Sequence, residues 1–156
     1  MRPLLNRIEA AFGAAVQIRN FGRSEKFVVE AEFASAHEIA AWLRMEENFR
    51  FDFLEAFTVY EAKNKLVLSY FLRSHSQNHQ LVLRTSTPVP GAQELASVPS
   101  AVGIWPHAEA FETELAPLFG IEFTGSRGAG AVRKNFGSYG GFPLRKTFEW
   151  REEIAP

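Results

Sequence analysis

The groups with the right types for chemistry are few. His75 and His79 stand four apart, the spacing of two metal ligands on one helix face. They fall between two strand-like runs, however, where that spacing has no geometric meaning, and no Asp, Glu or Cys lies beside them to complete a set. A polar turn is the reading their position favours. His37 sits in the first turn of a predicted helix and His107 beside Pro106, and both read as surface groups. Glu112 and Glu114 are the carboxylates best placed for acid–base work, but no histidine, hydroxyl or cation converges on them in sequence. The run Gly125-Ser126-Arg127-Gly128-Ala129-Gly130-Ala131-Val132-Arg133-Lys134 has the look of a phosphate loop. It fails both templates: Ala131 stands where a P-loop needs Lys, and Arg133 where a dinucleotide loop needs a small residue.

Composition removes further classes. The chain has 156 residues, a net charge of −1 and no cysteine. Near-zero charge argues against a nucleic-acid partner, whose binding is driven by clustered Lys and Arg. Without Cys this sequence offers no disulfide, thiolate iron–sulfur ligand or zinc–thiolate site. No window approaches the ~20 apolar residues of a membrane span, and the N-terminus lacks the apolar run of a signal peptide. A cytoplasmic protein is expected. With 46% apolar residues and fifteen Phe, a core can form.

The elements that must position these groups follow from periodicity. Pro3–Phe12 predicts a helix with Leu4, Leu5, Ile8 and Phe12 on one face and Gly13 as its stop. Residues 14–19 and 26–33 predict strands. Ser35 with Glu38 makes a capping box, opening a helix to about Glu46 with Ala36, Ile39, Ala40 and Leu43 inward. Residues 53–61 and 65–73 predict a hairpin around Ala62-Lys63-Asn64, with Leu66, Leu68, Tyr70 and Leu72 buried. Residues 80–87 predict another strand, ended by Pro88 and Pro90. A helix over 105–119 carries Ala108, Phe111, Leu115 and Leu118 as its apolar stripe, with Glu109, Glu112 and Glu114 on the opposite, acidic face. Pro117 predicts a kink or break before Leu118. Gly120 stops the helix and a short strand follows. The order α-β-β-α-β-β-β, then a helix and an extended Gly-rich tail, predicts an α+β two-layer sandwich with a mixed sheet. The expected division is an α+β domain over 1–125 and a Gly-rich basic tail over 126–156. Its stretch 126–141 is expected to be the most mobile, because glycine loses the most entropy on ordering.

The last third also carries a motif pattern. Ser97-Val98 and Ile104-Trp105-Pro106 precede Glu112 and Glu114; Phe119, Gly120, Ile121, Phe123 and Gly125 follow; Gly141, Pro143, Leu144, Arg145 and Lys146 close it. This pattern resembles the 30 kDa subunit (the C subunit) of the proton-pumping NADH:quinone oxidoreductase, respiratory complex I, and the related component of membrane-bound energy-converting hydrogenases. The runs 53–61 and 67–72 resemble that family's central hairpin. Thr113 stands where the family has Arg, Pro117 where it has Asp, Ser126-Arg127 for His-Pro and Thr147 for Asp, which marks a diverged member.

The resemblance implies a structural subunit of the peripheral arm, non-catalytic alone, that braces the large quinone-site subunit and lies near the small cluster-bearing subunit. It implies no cofactor on this chain, with iron–sulfur clusters, FMN and quinone in other subunits. It also implies a place on the cytoplasmic side, peripheral to the inner membrane through the complex. The twelve motif residues from Glu112 to Lys146 named above would form the partner interface, with Arg145 anchoring the tail by pairing with a carboxylate or lying over an aromatic ring of a neighbouring subunit. The alternatives are the equivalent hydrogenase subunit and a free-standing protein-binding module.

Overall fold

The computed structural model describes residues 2–20, 27–126 and 140–149. Its elements are α1 (Arg2–Phe12), a short 3-10 turn (Gly13–Ala15), β1 (Val16–Asn20), β2 (Phe27–Ala31), α2 (Phe33–Met45), β3 (Phe53–Ala62), β4 (Lys65–Ser74), β5 (His79–Pro88), β6 (Ala96–Pro99), α3 (Ala108–Phe119) and β7 (Ile121–Thr124). The fold is α+β with a mixed sheet, as the pattern predicts. The chain forms two compact units: Met1–Thr58 with Val67–Ser86, and Val59–Leu66 with Thr87–Pro156.

A five-stranded sheet in the order β1-β2-β5-β4-β3 forms the first unit, except that the tip of its β3–β4 hairpin, Val59–Leu66, belongs to the second. β1 runs antiparallel to β2, Val16 opposite Ala31, and β2 runs parallel to β5, Phe27 opposite Leu81. The hairpin β3–β4 turns on Lys63 and Asn64, at φ +50° and +58°. Two left-handed residues in a two-residue loop match the right-handed twist of the flanking strands. Alternation then buries Leu66, Leu68, Tyr70 and Leu72 on β4, and Leu81 and Leu83 on β5. Tyr70 stacks on Phe57 of β3 at 4.4 Å between ring centroids. Helix α2 turns Ala36, Ile39, Ala40 and Leu43 inward, the four positions its spacing selects.

The predicted capping box does not form. The Glu32 N–H is held by the Ala15 carbonyl at 2.9 Å, so the chain leaves β2 there and α2 begins at once, with no side-chain cap. Ser35 and Glu38 therefore lie inside the helix rather than at its start.

The second unit pairs β6 with β7 in parallel, Ala96 opposite Ile121, with α3 between them in sequence. β6 has four residues ending at Pro99, too few for a periodic signal, and the motif pattern marks only its Ser97-Val98. Two expectations for α3 are corrected. The helix is not broken at Pro117 but runs through it to Phe119. Proline in the last turn removes only one N–H, and Gly120 at φ +66° closes the helix by donating its N–H to the Ala116 carbonyl. The buried stripe is Ala108, Glu112, Ala116 and Phe119, with Phe111, Leu115 and Leu118 half-buried beside it. The helix is rotated from the expected face, and Glu112 points inward. Of the stretch expected to be mobile, residues 127–139 lie outside those described.

Candidate functional site

Glu112 is 3% exposed, with the small buried residues Ala108 and Ala116 one turn to either side of it. Its carboxylate accepts from the Ser100 hydroxyl at 2.7 Å and from the Ala101 N–H at 2.6 Å. Ser100 Oγ in turn accepts from the Val102 N–H at 3.2 Å. Burial raises the Glu112 carboxyl above the usual range and outweighs the two hydrogen bonds, which pull the other way; Glu109 adds to the rise. The group pins the loop after β6 to the middle of α3. Glu114, two residues on, is exposed.

The end of α3 poses a second problem of satisfaction. Its last carbonyls have no intrahelical donors left. Leu118 O accepts from the Leu144 N–H at 3.0 Å. Phe119 O accepts from Arg145 Nε at 2.7 Å, and Gly120 O from Arg145 Nη2 at 3.0 Å and from the Ala96 N–H at 2.9 Å. Arg145 also donates from Nη1 to Gly91 O at 2.9 Å and from Nη2 to Glu94 O at 2.8 Å. Its guanidinium carbon lies 4.3 Å from the centre of the Phe142 ring, and the residue is 3% exposed. Burial pulls its pKa down, opposed by the nearby Glu61 carboxylate. The ring under Arg145 is thus this chain's own Phe142 rather than a neighbour's. Gly120 has no room for a side chain: a Cβ there would stand 2.5 Å from Phe142 and 2.7 Å from Arg145 Nη2.

The motif residues therefore divide. Glu112, Phe119, Gly120, Ile121, Phe123, Gly141 and Arg145 are buried, and a Cβ on Gly141 would press on Phe148. Pro143 is half-buried. Glu114, Gly125, Leu144 and Lys146 are exposed, Leu144 by 51%. The Lys146 N–H donates to Glu61 at 2.8 Å. Gly91, Glu94, Ser100, Ala101 and Phe142 complete the arrangement, and sequence reasoning misses all five. Four of them act through backbone or hydroxyl groups that carry little residue signature, whereas an aromatic three before Arg145 is a signal that could be noticed.

His75 Nδ1 and its N–H both lie 3.1 Å from Asp52, a partner 23 residues away that local spacing could not show. Burial raises Asp52, and the bonds from His75 outweigh it and hold the carboxyl below its usual range. His79 stacks on Phe49 at 6.3 Å, and His37 and His107 are exposed. Among the described residues no group of three His, Cys, Asp or Glu is arranged to hold a metal. No helix among them is long and apolar enough to cross a membrane. Of the Gly-rich run only Gly125 and Ser126 are described.

Comparison with known proteins connects this arrangement to a family. Residues 29–153 match the family described as respiratory-chain NADH dehydrogenase, 30 Kd subunit. The chain is 33% identical over 88 residues to the C subunit of the NADH-quinone oxidoreductase of Hyphomonas neptunium, covering 56% of this chain and 41% of that protein. It is 34% identical over 111 residues to the corresponding C subunit of Ruegeria pomeroyi, covering 69% and 52%. The chain thus spans about half or less of these relatives' length. A chain in the structure of the membrane-bound sulfane sulfur reductase, an archaeal respiratory membrane complex, shares the fold: TM-score 0.65, 17% identity, 81% of this chain and 71% of that one.

Proposed function

The chain belongs to the 30 kDa subunit family of the respiratory-chain NADH dehydrogenase, and from that premise we propose that it is a cofactor-free structural subunit of the peripheral arm of a proton-translocating NADH:quinone oxidoreductase. In this reading it braces the large quinone-site subunit, lies near the small cluster-bearing subunit, and is held to the cytoplasmic face of the inner membrane through the complex. Clusters, FMN and quinone belong to the other subunits, and catalysis to the assembly. The observation that carries the reading is the division of the matched motifs. Glu112, Gly120 and Arg145 are consumed in fixing the unit's own shape. Leu144, Lys146 and Glu114 stand outward, and an apolar side chain half in water beside a cation is what a partner surface can cover.

The test is assembly of the tagged chain with the large quinone-site and small cluster-bearing subunits from the same source. Leu144→Asp combined with Lys146→Glu should weaken capture by about 2 kcal/mol or more, roughly thirtyfold. The melting curve of the isolated variant should stay within about 0.5 kcal/mol of the parent, because both side chains are exposed. Unchanged capture by the double variant would remove these residues from the interface. Failure of the parent chain to bind either partner, with capture instead by a hydrogenase large subunit, would move it to the related complex.

A further inference from the structure

We propose that the C-terminal end of α3 is a built binding site for a guanidinium group, with the chain's own Arg145 as resident ligand, so that residues 140–149 form a strap whose closure this one side chain decides. The inference stands independently of the assembly reading, since every atom of the site comes from one unit of this chain.

Four carbonyl oxygens define the site, and they come from two separated segments: Gly91 and Glu94 from one loop, Phe119 and Gly120 from the helix end. All four stand 2.7–3.0 Å from guanidinium nitrogens. A guanidinium carries five N–H donors in a rigid plane, and four acceptors spread around that plane match it. An ammonium has three donors on one small centre and cannot span both segments at once. The Phe142 ring supplies a face for a flat cation. The negative end of the α3 dipole adds attraction, as does the nearby Glu61 carboxylate.

The cup is also shaped without its ligand. Glu94 turns its carboxylate back to the Gly91 N–H at 3.2 Å, while the Glu94 N–H bonds Gly91 O at 2.9 Å. That small loop fixes where the Gly91 and Glu94 carbonyls point. Gly120 leaves the floor open, since any Cβ would fill the space Arg145 Nη2 and Phe142 occupy. Besides Arg145 and Phe142, the strap is tied by the Leu144 N–H to Leu118 O and by the Lys146 N–H to Glu61. Those two amides report whether it is closed.

Hydrogen exchange on the full chain tests this at Leu144 and Lys146. Arg145→Ala removes four hydrogen bonds and should speed exchange there by at least roughly tenfold to a hundredfold, the net contribution of one or two charge-assisted bonds. Low-millimolar propylguanidinium should restore most of the protection, and propylammonium at the same concentration should not. Arg145→Lys should behave as the alanine variant does. Phe142→Leu, which keeps the carbonyls but removes the ring face, should speed exchange by a smaller factor. Protection equal to the parent in Arg145→Lys, equal rescue by both cations, or no change in Arg145→Ala would each overturn the proposal. If Arg145→Ala fails to fold, Arg145→Lys decides: faster exchange at Leu144 supports the site, and unchanged exchange sinks it.

Discussion

In the sheet unit the buried groups among the described residues are apolar side chains, with Ile39, Leu43, Leu54, Leu68 and Leu83 fully buried, and the hydroxyls of Ser69, Ser74 and Thr85, with no charged side chain among them. In the unit containing α3 two of the enclosed positions are a carboxylate and a guanidinium, Glu112 and Arg145, each 3% exposed. The difference reflects what each unit has to close. A sheet satisfies its own backbone, so its faces need only apolar cover. A four-residue parallel pair with one helix leaves loop N–H groups and helix-end carbonyls with no ladder to join. Side chains that donate or accept to backbone are the available remedy. The first unit is held by burial, which is graded and tolerant of shape-conserving changes. The second adds to its own buried Val98, Trp105, Ile121 and Phe142 a set of directional bonds, which are not.

The comparison breaks most visibly at Gly120. Gly120→Ala adds one methyl group but forces a left-handed conformation on a residue with a β-carbon, at about 1–2 kcal/mol. It also drives that carbon into Phe142 and Arg145, an overpacking of roughly 1–3 kcal/mol. A loss of about 2–5 kcal/mol in denaturant unfolding is expected, the sum of those two costs, with faster exchange at Leu144. A loss below about 1 kcal/mol would show that the strap moves aside freely. The counterpart in the sheet unit is Leu68→Met, which exchanges one fully buried apolar side chain for another of similar volume. Less than about 1.5 kcal/mol should be lost. A larger loss than that of Gly120→Ala would invert the comparison.

The same contrast explains what is legible in the sequence. Alternation and helical spacing find the β3–β4 hairpin to within a residue at each end, its turn, and the inward face of α2, because along these elements apolar and buried largely coincide, Met45 and Phe53 at element ends being exposed. On α3 the same reasoning puts Glu112 in solvent and Phe111, Leu115 and Leu118 in the core. It treats charge as a mark of exposure, and nothing local shows that the Ser100 hydroxyl and Ala101 N–H lie within 2.7 Å of that carboxylate. The flanking Ala108 and Ala116 are the available hint. Arg145 stands out by resemblance as an anchor, but its acceptors are backbone carbonyls, which any sequence supplies. The Gly120 stop is legible from residue type alone. The reason no Cβ fits there is not, since it depends on Phe142 and Arg145, which lie far along the chain.

The smallest expected effect gives the sharpest test of the polar side of the comparison. The raised Glu112 carboxyl makes the folded unit bind its proton more tightly than the unfolded chain does. That contribution to stability is fully present below the unfolded value near 4.5 and is lost as pH rises through the higher folded value. A glutamine in its place would keep the shape, with its oxygen accepting from the Ala101 N–H and its amide donating to Ser100 Oγ, which matches the neutral acid. Glu112→Gln should therefore lie within about 1 kcal/mol of the parent at low pH, where both side chains are uncharged. As pH rises past 4.5 the parent should fall relative to the variant, until the carboxyl is ionised and the difference levels off. Melting curves of the two chains from about pH 4 to about pH 8 read this directly, because other titrating groups contribute equally to both. A gap that stays flat, or a parent that gains on the variant as pH rises, would mean that the hydrogen bonds from Ser100 and Ala101 outweigh burial, leaving Glu112 a stabilising anion.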